Sequence, residues 1–370
     1  MMSPAAMHEL SYQISFNTPA FLGNAEQQAQ WRTPPIKALI RQWWRVVKAP
    51  ELERDVAALR RTEAQLFGSA TDDGKSASQQ SKLRIRLDSW SDGALKSWPK
   101  DEPREFHSEV GDAGRPVGTE LYLGYGPLDY DKTTKQAKLS ISKSSGAQRT
   151  AINDKTSVGL KLRFPTLAVV EIEAALQLAQ WFGTLGSRSR NAWGSLQLER
   201  RDGAAMQALT AAALTPYLRP LRQCLDLDWP HAIGSDARGP LVWLTPERAT
   251  WREVMKDLAR TKIASRTQAA PFPDERPGTL QPRHLMGYPV TNHEVNLPEW
   301  GRNGRLPNQL RFKLQRVAAS KLQGVIVHLP CGLPPHLAQG ARGQVPNELD
   351  LWQAVHRVLD ETKNQLLRLR

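Results

Sequence analysis

The sequence is poor in cysteine, with two among its 370 residues, Cys224 and Cys331, far apart in the chain. Two isolated cysteines give no disulfide framework, which fits a protein of the reducing cytoplasm. Residues 1–10 contain neither a basic segment nor a long apolar run, so we expect no signal peptide. No apolar stretch approaches the roughly 20 residues that a membrane helix needs, so we expect no membrane partner.

Motifs that hold metals or nucleotide cofactors are also missing. The sequence has no C-x-x-C and no H-x-x-x-H spacing, so we predict no metal site. A glycine-rich stretch, residues 183–194, lacks the lysine–serine/threonine ending of a P-loop and the spacing of a dinucleotide fingerprint. We therefore predict no ATP, NAD or other cofactor.

Isolated histidines are the remaining catalytic candidates. A single histidine can serve acid–base cleavage of RNA, and His8 is the first candidate, with His107 and His328 behind it. Such histidines are usually structural or solvated. We therefore predict no catalytic residue and no enzyme activity.

Positive charge is abundant: 50 lysines and arginines against 37 acidic residues give a net charge of +13. A protein this basic usually meets a polyanion, although solubility alone is the alternative explanation. The length suggests two domains.

The periodicity of the first half predicts an interrupted α+β domain. Strands are predicted at 10–16, 83–87, 119–125, 158–164 and 195–198, and helices at 35–48, 52–67 and 166–182. Residues 68–81, 91–116 and 132–153 are predicted to be loops or insertions. Without the insertions, the order is strand, helix, strand, strand, helix, strand, which is the ferredoxin-like order.

The second half predicts a similar order, one strand short. Helices are predicted at 204–214, 246–262 and 348–367, strands at 241–244, 310–314 and 324–329, and a long loop at 265–307. The predicted fold is therefore α+β, with two ferredoxin-like (RRM-like) domains, residues 1–202 and 203–370, and long loop insertions.

The glycine-rich stretch, residues 183–194, is the strongest local signal. Its glycines, Gly183, Gly186 and Gly194, give the backbone conformational freedom, and Arg188 and Arg190 supply positive charge. Hydrogen-bonding groups come from Ser187, Ser189 and Asn191, and Trp193 offers a ring for stacking. This combination suits single-stranded nucleic acid, where phosphates meet arginines and bases meet aromatic rings. A plain helix C-cap and turn is the alternative.

The helix at 35–48 carries a basic stripe, Lys37, Arg41 and Arg45, spaced four residues apart. Such a stripe either binds RNA or is simply solvated. Trp43 is in register with the apolar stripe and is predicted to be core. Trp44 lies between the stripes and is predicted to be a stacking platform or a rim residue, so we expect Trp43→Ala to destabilise more.

The predicted strand at 83–87 places Lys82, Arg84 and Arg86 on one face. In an RRM-like sheet this face can carry RNA, although the aromatic submotif of the RRM is absent.

Several blocks together resemble the RAMP superfamily and, within it, the first subunits of type III-B (Cmr) CRISPR effector complexes. They are TPAFLG at 18–23, WRTPPIKALIRQWWR at 31–45, EAQLFGS at 63–69, QSKLRI at 80–85 and GTLGSRSRNAWGS at 183–195. They span about the first 200 residues, and the second half matches only loosely.

This resemblance implies two ferredoxin-like domains and a place near the 3′ end of the guide RNA. The implied partners are guide (CRISPR) RNA, target RNA and other RAMP subunits, with cleavage performed by a different subunit. Lys37, Arg41 and Trp44, together with Gly186, Arg188 and Arg190, are implied to touch RNA. Asn191 and Trp193 lie where the family often has a basic and an aromatic residue.

Two other hypotheses stay open. One is a RAMP-type metal-independent endoribonuclease that processes guide RNA precursors, for which His8-dependent cleavage in EDTA is the discriminating result. The other is an RNA-binding protein that acts outside any complex.

Overall fold

The computed structural model describes residues 6–70, 78–272, 278–301, 304–341, 343–361, 363 and 365–370. The predicted loops at 68–81 and 265–307 lie partly outside these residues. The described chain is mixed α/β with several small, mostly antiparallel sheets, so the predicted mixture of helices and sheets is confirmed. No helix in these ranges is long and apolar enough to cross a membrane.

Strands β1 to β15 of the described residues are Met7–Phe16, Arg84–Leu87, Arg104–His107, Arg115–Gly118, Leu128–Tyr130, Ala137–Leu139, Ser157–Pro165, Leu196–Arg200, Leu218–Pro220, Ile233–Asp236, Gly239–Pro240, Val242–Leu244, Leu310–Ala318, Lys321–His328 and Leu367–Arg368. Helices α1 to α10 are Thr33–Lys48, Val56–Phe67, Thr119–Gly124, Val169–Phe182, Ala211–Leu214, Leu221–Cys224, Trp251–Thr267, Pro282–Leu285, Pro335–Gly340 and Glu348–Asp360. Two short 3₁₀ helices cover Thr166–Ala168 and Thr215–Tyr217.

The chain divides into two compact units. The first comprises residues 1–98 and 138–209, and the second comprises residues 99–137 and 210–370. The predicted domain boundary at 202 lies near the division at 209. The local periodicity of the sequence does not predict that residues 99–137 belong to the second unit.

The first unit is built on an antiparallel sheet with strand order β2-β7-β1-β8. Alternate residues of β1 (Leu10, Tyr12, Ile14 and Phe16) are buried, because successive side chains point to opposite faces of a sheet. Helices α1 and α4 pack against each other over this unit's core. The opposite face of the sheet is polar.

The second unit contains an antiparallel sheet with strand order β13-β14-β12-β15. Along the chain the order is β12, α7, β13, β14, α10, β15, so this unit also alternates strand, helix, strand, strand, helix, strand. A smaller sheet joins β9, β10 and β11. The sequence pattern does not predict the last strand, β15, because its two residues carry no periodic signal.

Three predicted elements in the second unit need correction. Residues 119–125 are predicted as a strand but form helix α3, whose buried Thr119, Glu120 and Leu123 lie on one helical face. The helix predicted at 204–214 begins only at residue 211, where the Thr210 hydroxyl accepts a hydrogen bond from a first-turn amide. The helix predicted at 348–367 ends at residue 360, because Glu361 is extended.

Candidate nucleic-acid interface

The glycine-rich stretch folds back onto the segment that follows β1. The Leu185 amide donates to the Gly194 carbonyl oxygen at 2.9 Å, which closes the stretch into a loop. The amides of Ser187 and Gly194 donate to the carbonyl oxygens of Phe21 and Pro19 at 2.9 and 3.0 Å. The loop is therefore anchored by backbone groups of the same N-terminal block that carries the RAMP resemblance.

Two glycines of this loop combine positive φ with a close approach to backbone atoms. Gly186 has φ of +98°, and a Cβ there would lie 2.6 Å from the carbonyl oxygen of Phe21. Gly194 has φ of +64°, and its Cβ would collide with the carbonyl oxygen of Leu185. A side chain at Gly186 would separate the loop from its anchor, and a side chain at Gly194 would disrupt the closure of the loop on Leu185.

Buried hydroxyls lock the end of the loop. The Thr18 hydroxyl donates to the Ala192 carbonyl oxygen at 2.7 Å and accepts the Ser195 amide at 3.0 Å. The Ser195 hydroxyl donates to the same carbonyl oxygen at 2.7 Å. With this end fixed, the tip of the loop faces solvent at Ser187, Arg188 and Arg190, which are exposed. Ser189 is half-buried and Asn191 is buried.

A pocket of about 480 Å³ opens beside the loop tip. Four segments line it: the turn after β1, the start of α1, residues 149–150, and Gly186 with Ser187. Residues 149–150 reach this place because the Ala29 amide donates to the Thr150 hydroxyl at 2.9 Å. The sequence-predicted Gly186 and Ser187 are thus brought together with groups that the sequence pattern did not indicate.

Two arginines supply the positive charge of the pocket. Arg32 immediately precedes α1, and Arg149 lies across the pocket with its guanidinium donating to Gln27. The Nε atoms of both arginines are buried and have no hydrogen-bond partner among the described residues. Leaving a buried donor unsatisfied costs about 1–3 kcal/mol, and more for a charged group, so an anionic oxygen here would be favourable.

The start of α1 adds little to this charge through its backbone. Pro34 and Pro35 occupy its first turn and have no N–H group. The anion-binding capacity therefore rests on the guanidinium groups, whose planar fork suits the oxygens of a phosphate. Arg32 lies in the block at 31–45 that carries the family resemblance, but its role there was not predicted. Arg149 lies in a polar stretch predicted as a loop, and no sequence pattern singles it out.

Two members of the basic stripe, Arg41 and Arg45, join α1 to α2. Arg41 and Arg45 both pair with the buried carboxylate of Glu63, with one Arg45 Nη2–Oε1 distance of 2.9 Å. Burial alone would raise the pKa of Glu63, but hydrogen bonds from Arg45 and Arg41 hold it below its usual value. Burial, then the nearby Arg41 charge, lowers the pKa of Lys37. These three cations do not line the loop-side pocket.

Both tryptophans predicted to stack on bases are buried. Trp44 and Trp193 have no exposed surface, like the predicted core residue Trp43. Trp193 packs against Phe21 and Trp98, with ring centroids 5.3 and 5.4 Å apart. The expectation of stacking platforms at Trp44 and Trp193 is therefore corrected: these rings fill the core, and a base cannot reach them in this conformation.

Of the histidine candidates, His8 belongs to the first unit but does not line the pocket, and His107 and His328 belong to the second unit. His8 is half-buried beside Phe164, with ring centroids 5.7 Å apart. Burial lowers the pKa of His107. His328 is fully buried, with its Nδ1 2.9 Å from Nε2 of His356. Across the described ranges, no group of three or more histidine, cysteine or acidic residues is placed to hold a metal ion.

Comparisons with known proteins find matches among solved structures. No protein-family model and no curated protein sequence matches the chain. The crystal structure of Cmr1 from Pyrococcus furiosus (apo form) matches with a TM-score of 0.46 and 13% identity, covering 97% of this chain and 98% of that one. A chain of the type III-B Cmr-beta complex bound to cognate target RNA matches with a TM-score of 0.43 and 10% identity, covering 94% of this chain and 100% of that one.

Both of these solved structures carry the name Cmr, the type III-B complex to which the motif resemblance also refers. A chain of a type IV-B CRISPR complex also matches, with a TM-score of 0.29 and 12% identity, over 55% of this chain and 94% of that one. Identities and TM-scores this low assign no function to the chain.

Proposed function

We propose that this protein is a non-catalytic RNA-binding subunit of a type III-B CRISPR effector complex. The observation that carries the proposal is the loop-side pocket, where two buried Nε atoms, of Arg32 and Arg149, lack partners among the described residues. Guanidinium groups placed in this way suit phosphate oxygens. Guide RNA and target RNA are the proposed ligands, and other RAMP subunits are the proposed protein partners.

The size and composition of the pocket favour a segment of single-stranded RNA. A volume of about 480 Å³ lies within the range of small-ligand sites, so one or two nucleotides fit. The exposed Arg188 and Arg190 at the loop tip extend the positive surface beyond the pocket. Because Trp44 and Trp193 are buried, we infer that contacts here go to phosphates, and that base pairing between guide and target reads the sequence.

We also propose a specific fold for each of the two units. When additional elements such as α2, α8 and α9 are set aside, each unit has the order strand, helix, strand, strand, helix, strand. Each main sheet places its first strand between its third and fourth. This supports a ferredoxin-like domain in each unit. The proposed position near the 3′ end of the guide comes from the motif resemblance alone.

The pocket is tested by replacing both of its arginines. We expect Arg32→Gln with Arg149→Gln to weaken binding of single-stranded RNA by at least about tenfold, since hydrogen bonds to charged groups contribute roughly 1.5–3 kcal/mol each. The slope of log affinity against log salt falls by about 0.7 for each phosphate that the protein no longer neutralises. Fluorescence anisotropy of labelled guide-like RNA over a salt series measures both quantities.

The matched control is Arg60→Gln with Arg61→Gln, which removes the same charge from exposed positions on α2. Equal weakening by both double variants would show that only net charge matters, and the pocket proposal would fail. Assembly is tested by affinity purification from the native host: recovery without other RAMP subunits or repeat-derived RNA contradicts membership of a complex. Cleavage of repeat RNA in EDTA that disappears in His8→Ala contradicts the non-catalytic assignment.

A further inference from the structure

The polar face of the first unit's sheet carries a cluster of four cations on neighbouring strands, defined here as the sheet-face cluster. Arg84 and Arg86 belong to β2, and Lys161 and Arg163 belong to β7. All four side chains are exposed, while the residues that alternate with them along β7 are buried. The cluster thus follows from the two-residue period of both strands.

The strand register places these like charges directly opposite one another. Arg84 pairs with Arg163 across the strands, and Arg86 pairs with Lys161. Side chains in directly opposite positions have Cβ atoms roughly 4.5–5.5 Å apart, and like charges there destabilise a sheet. Two such pairs side by side are therefore unfavourable for folding unless an anion relieves the repulsion.

The protein supplies little anionic charge to the cluster. Among the described residues, only Glu9 forms an ion pair with a member, at 3.7 Å from Lys161, and both side chains are more than half exposed. Glu9 also lies directly opposite Arg163 in the register of β1 and β7, but no carboxylate of the described residues forms an ion pair with Arg84, Arg86 or Arg163. By contrast, Arg201, which follows β8, pairs with Asp88 at 3.1 Å.

We propose that the sheet-face cluster binds the phosphate backbone of single-stranded RNA, as a second contact area distinct from the loop-side pocket. The inference rests on the proposed RNA-binding function and extends it. Arg84 and Arg86 repeat along the strand at about 6–7 Å, two residues of extended chain. An RNA strand lying along β2 and β7 meets positive charge at each repeat.

RNA suits this surface better than an acidic protein does. The centre of a protein–protein interface is depleted of charge and rich in apolar anchors. The neighbours of the cluster on this face of β1 are polar or charged, not apolar: Glu9, Ser11 and Gln13, opposite Arg163, Lys161 and Gly159. Trp90, shortly after β2, is 55% exposed and adds an aromatic surface near the strand for base stacking.

The experiment uses the full chain and labelled oligouridine. The test variant combines Arg84→Gln, Arg86→Gln, Lys161→Gln and Arg163→Gln, and the control combines Arg60→Gln, Arg61→Gln, Arg222→Gln and Arg357→Gln, all exposed positions. We expect the test variant to bind at least tenfold more weakly than the control. The slope of log affinity against log salt should fall by about 3 in magnitude, because four phosphates are no longer neutralised and each contributes roughly 0.7 to the slope. The thermal midpoint should stay equal or rise, because the repulsion is removed.

Each other outcome overturns the inference in a distinguishable way. If the test variant binds like the control while Arg32→Gln with Arg149→Gln is weakened, the sheet face is not a contact area and the proposed function stands. If the unmodified chain binds no oligouridine at low salt, both fail. If polyglutamate binds through the four cations and oligouridine does not, the surface serves an acidic protein.

Discussion

Gly186 lies directly against Phe21, so close that a Cβ on the glycine would be 2.6 Å from the Phe21 carbonyl oxygen. We expect Gly186→Ala to lower the free energy of unfolding by about 1–3 kcal/mol, through backbone strain at φ of +98° and this collision. RNA affinity should fall as well, because the loop tip forms one wall of the pocket. Denaturant unfolding and RNA titration measure the two effects.

Gly146→Ala is the control for this substitution. Gly146 also has positive φ, +69°, but a Cβ there meets nothing within 4 Å. It should therefore lose some stability and keep its RNA affinity. Equal RNA affinities for the two variants would contradict the assigned role of the loop.

The loop tip provides the second prediction. Arg188 and Arg190 are exposed, so Arg188→Ala with Arg190→Ala should weaken RNA binding about tenfold and leave the thermal midpoint within a few degrees of its original value. Anisotropy and thermal melting measure these effects. A variant that melts early or aggregates would show that the tip is a structural cap.

A pH-dependent prediction concerns Glu63. Its carboxylate joins Arg41 and Arg45, so Glu63→Gln should lower the free energy of unfolding by about 1–3 kcal/mol at neutral pH. The pKa of Glu63 is lowered in the folded state, so the stabilisation is present above the usual carboxyl pKa of 4.5 and is lost as the pH falls below it. Urea titrations at pH 7 and pH 3 should show this difference shrinking. A difference that persists at pH 3 would exclude the ionic contribution.

Trp44 provides a test of burial. Because Trp43 and Trp44 are both fully buried, Trp43→Ala and Trp44→Ala should each destabilise by about 3–5 kcal/mol. Chemical denaturation of the two variants measures this directly. A much smaller loss for Trp44→Ala would favour the rim position predicted from the sequence.

The buried histidine pair makes the second unit sensitive to acid. Burial lowers the pKa of His356 from 6.5 to about 3. Between these values the unfolded chain binds a proton that the folded one does not, so stability falls as the pH drops, by about 1.4 kcal/mol per pH unit. In His356→Gln the free energy of unfolding, measured with urea, should therefore depend less steeply on pH between pH 6 and pH 4. The same dependence of stability on pH in His356→Gln and in the unmodified chain would contradict this assignment.

Local patterns predicted the elements that have a buried and an exposed face. Alternation along β1 and the apolar stripe of α1 were confirmed, since both patterns follow from a single core-facing side. The two-residue strand β15 is too short for periodicity. In α3, the alternation of Thr119, Leu121 and Leu123 imitates a strand although the segment is helical.

The candidate site was predictable only in part. Gly186 and Ser187 were indicated by their local pattern, and the structure places both at the pocket. Arg149 joins them through a contact between residues far apart in the chain, such as Ala29 with Thr150, which no local pattern can reveal. Trp44 was misjudged because the packing of α2 against α1 covers a position that the helical stripe alone leaves at the border.

Because residues 99–137 belong to the second unit, they are synthesised long before the rest of that unit. This affects both folding during synthesis and the choice of a truncated fragment. Three carboxylates of this insertion, Glu105, Glu109 and Glu120, pair with Arg260, Arg283 and Arg252, which are made much later on the ribosome. The nascent chain therefore carries an unsatisfied acidic segment until the second unit emerges. A fragment ending at residue 209 keeps that segment without its partners, so a stable isolated first unit requires residues 99–137 to be replaced by a short linker.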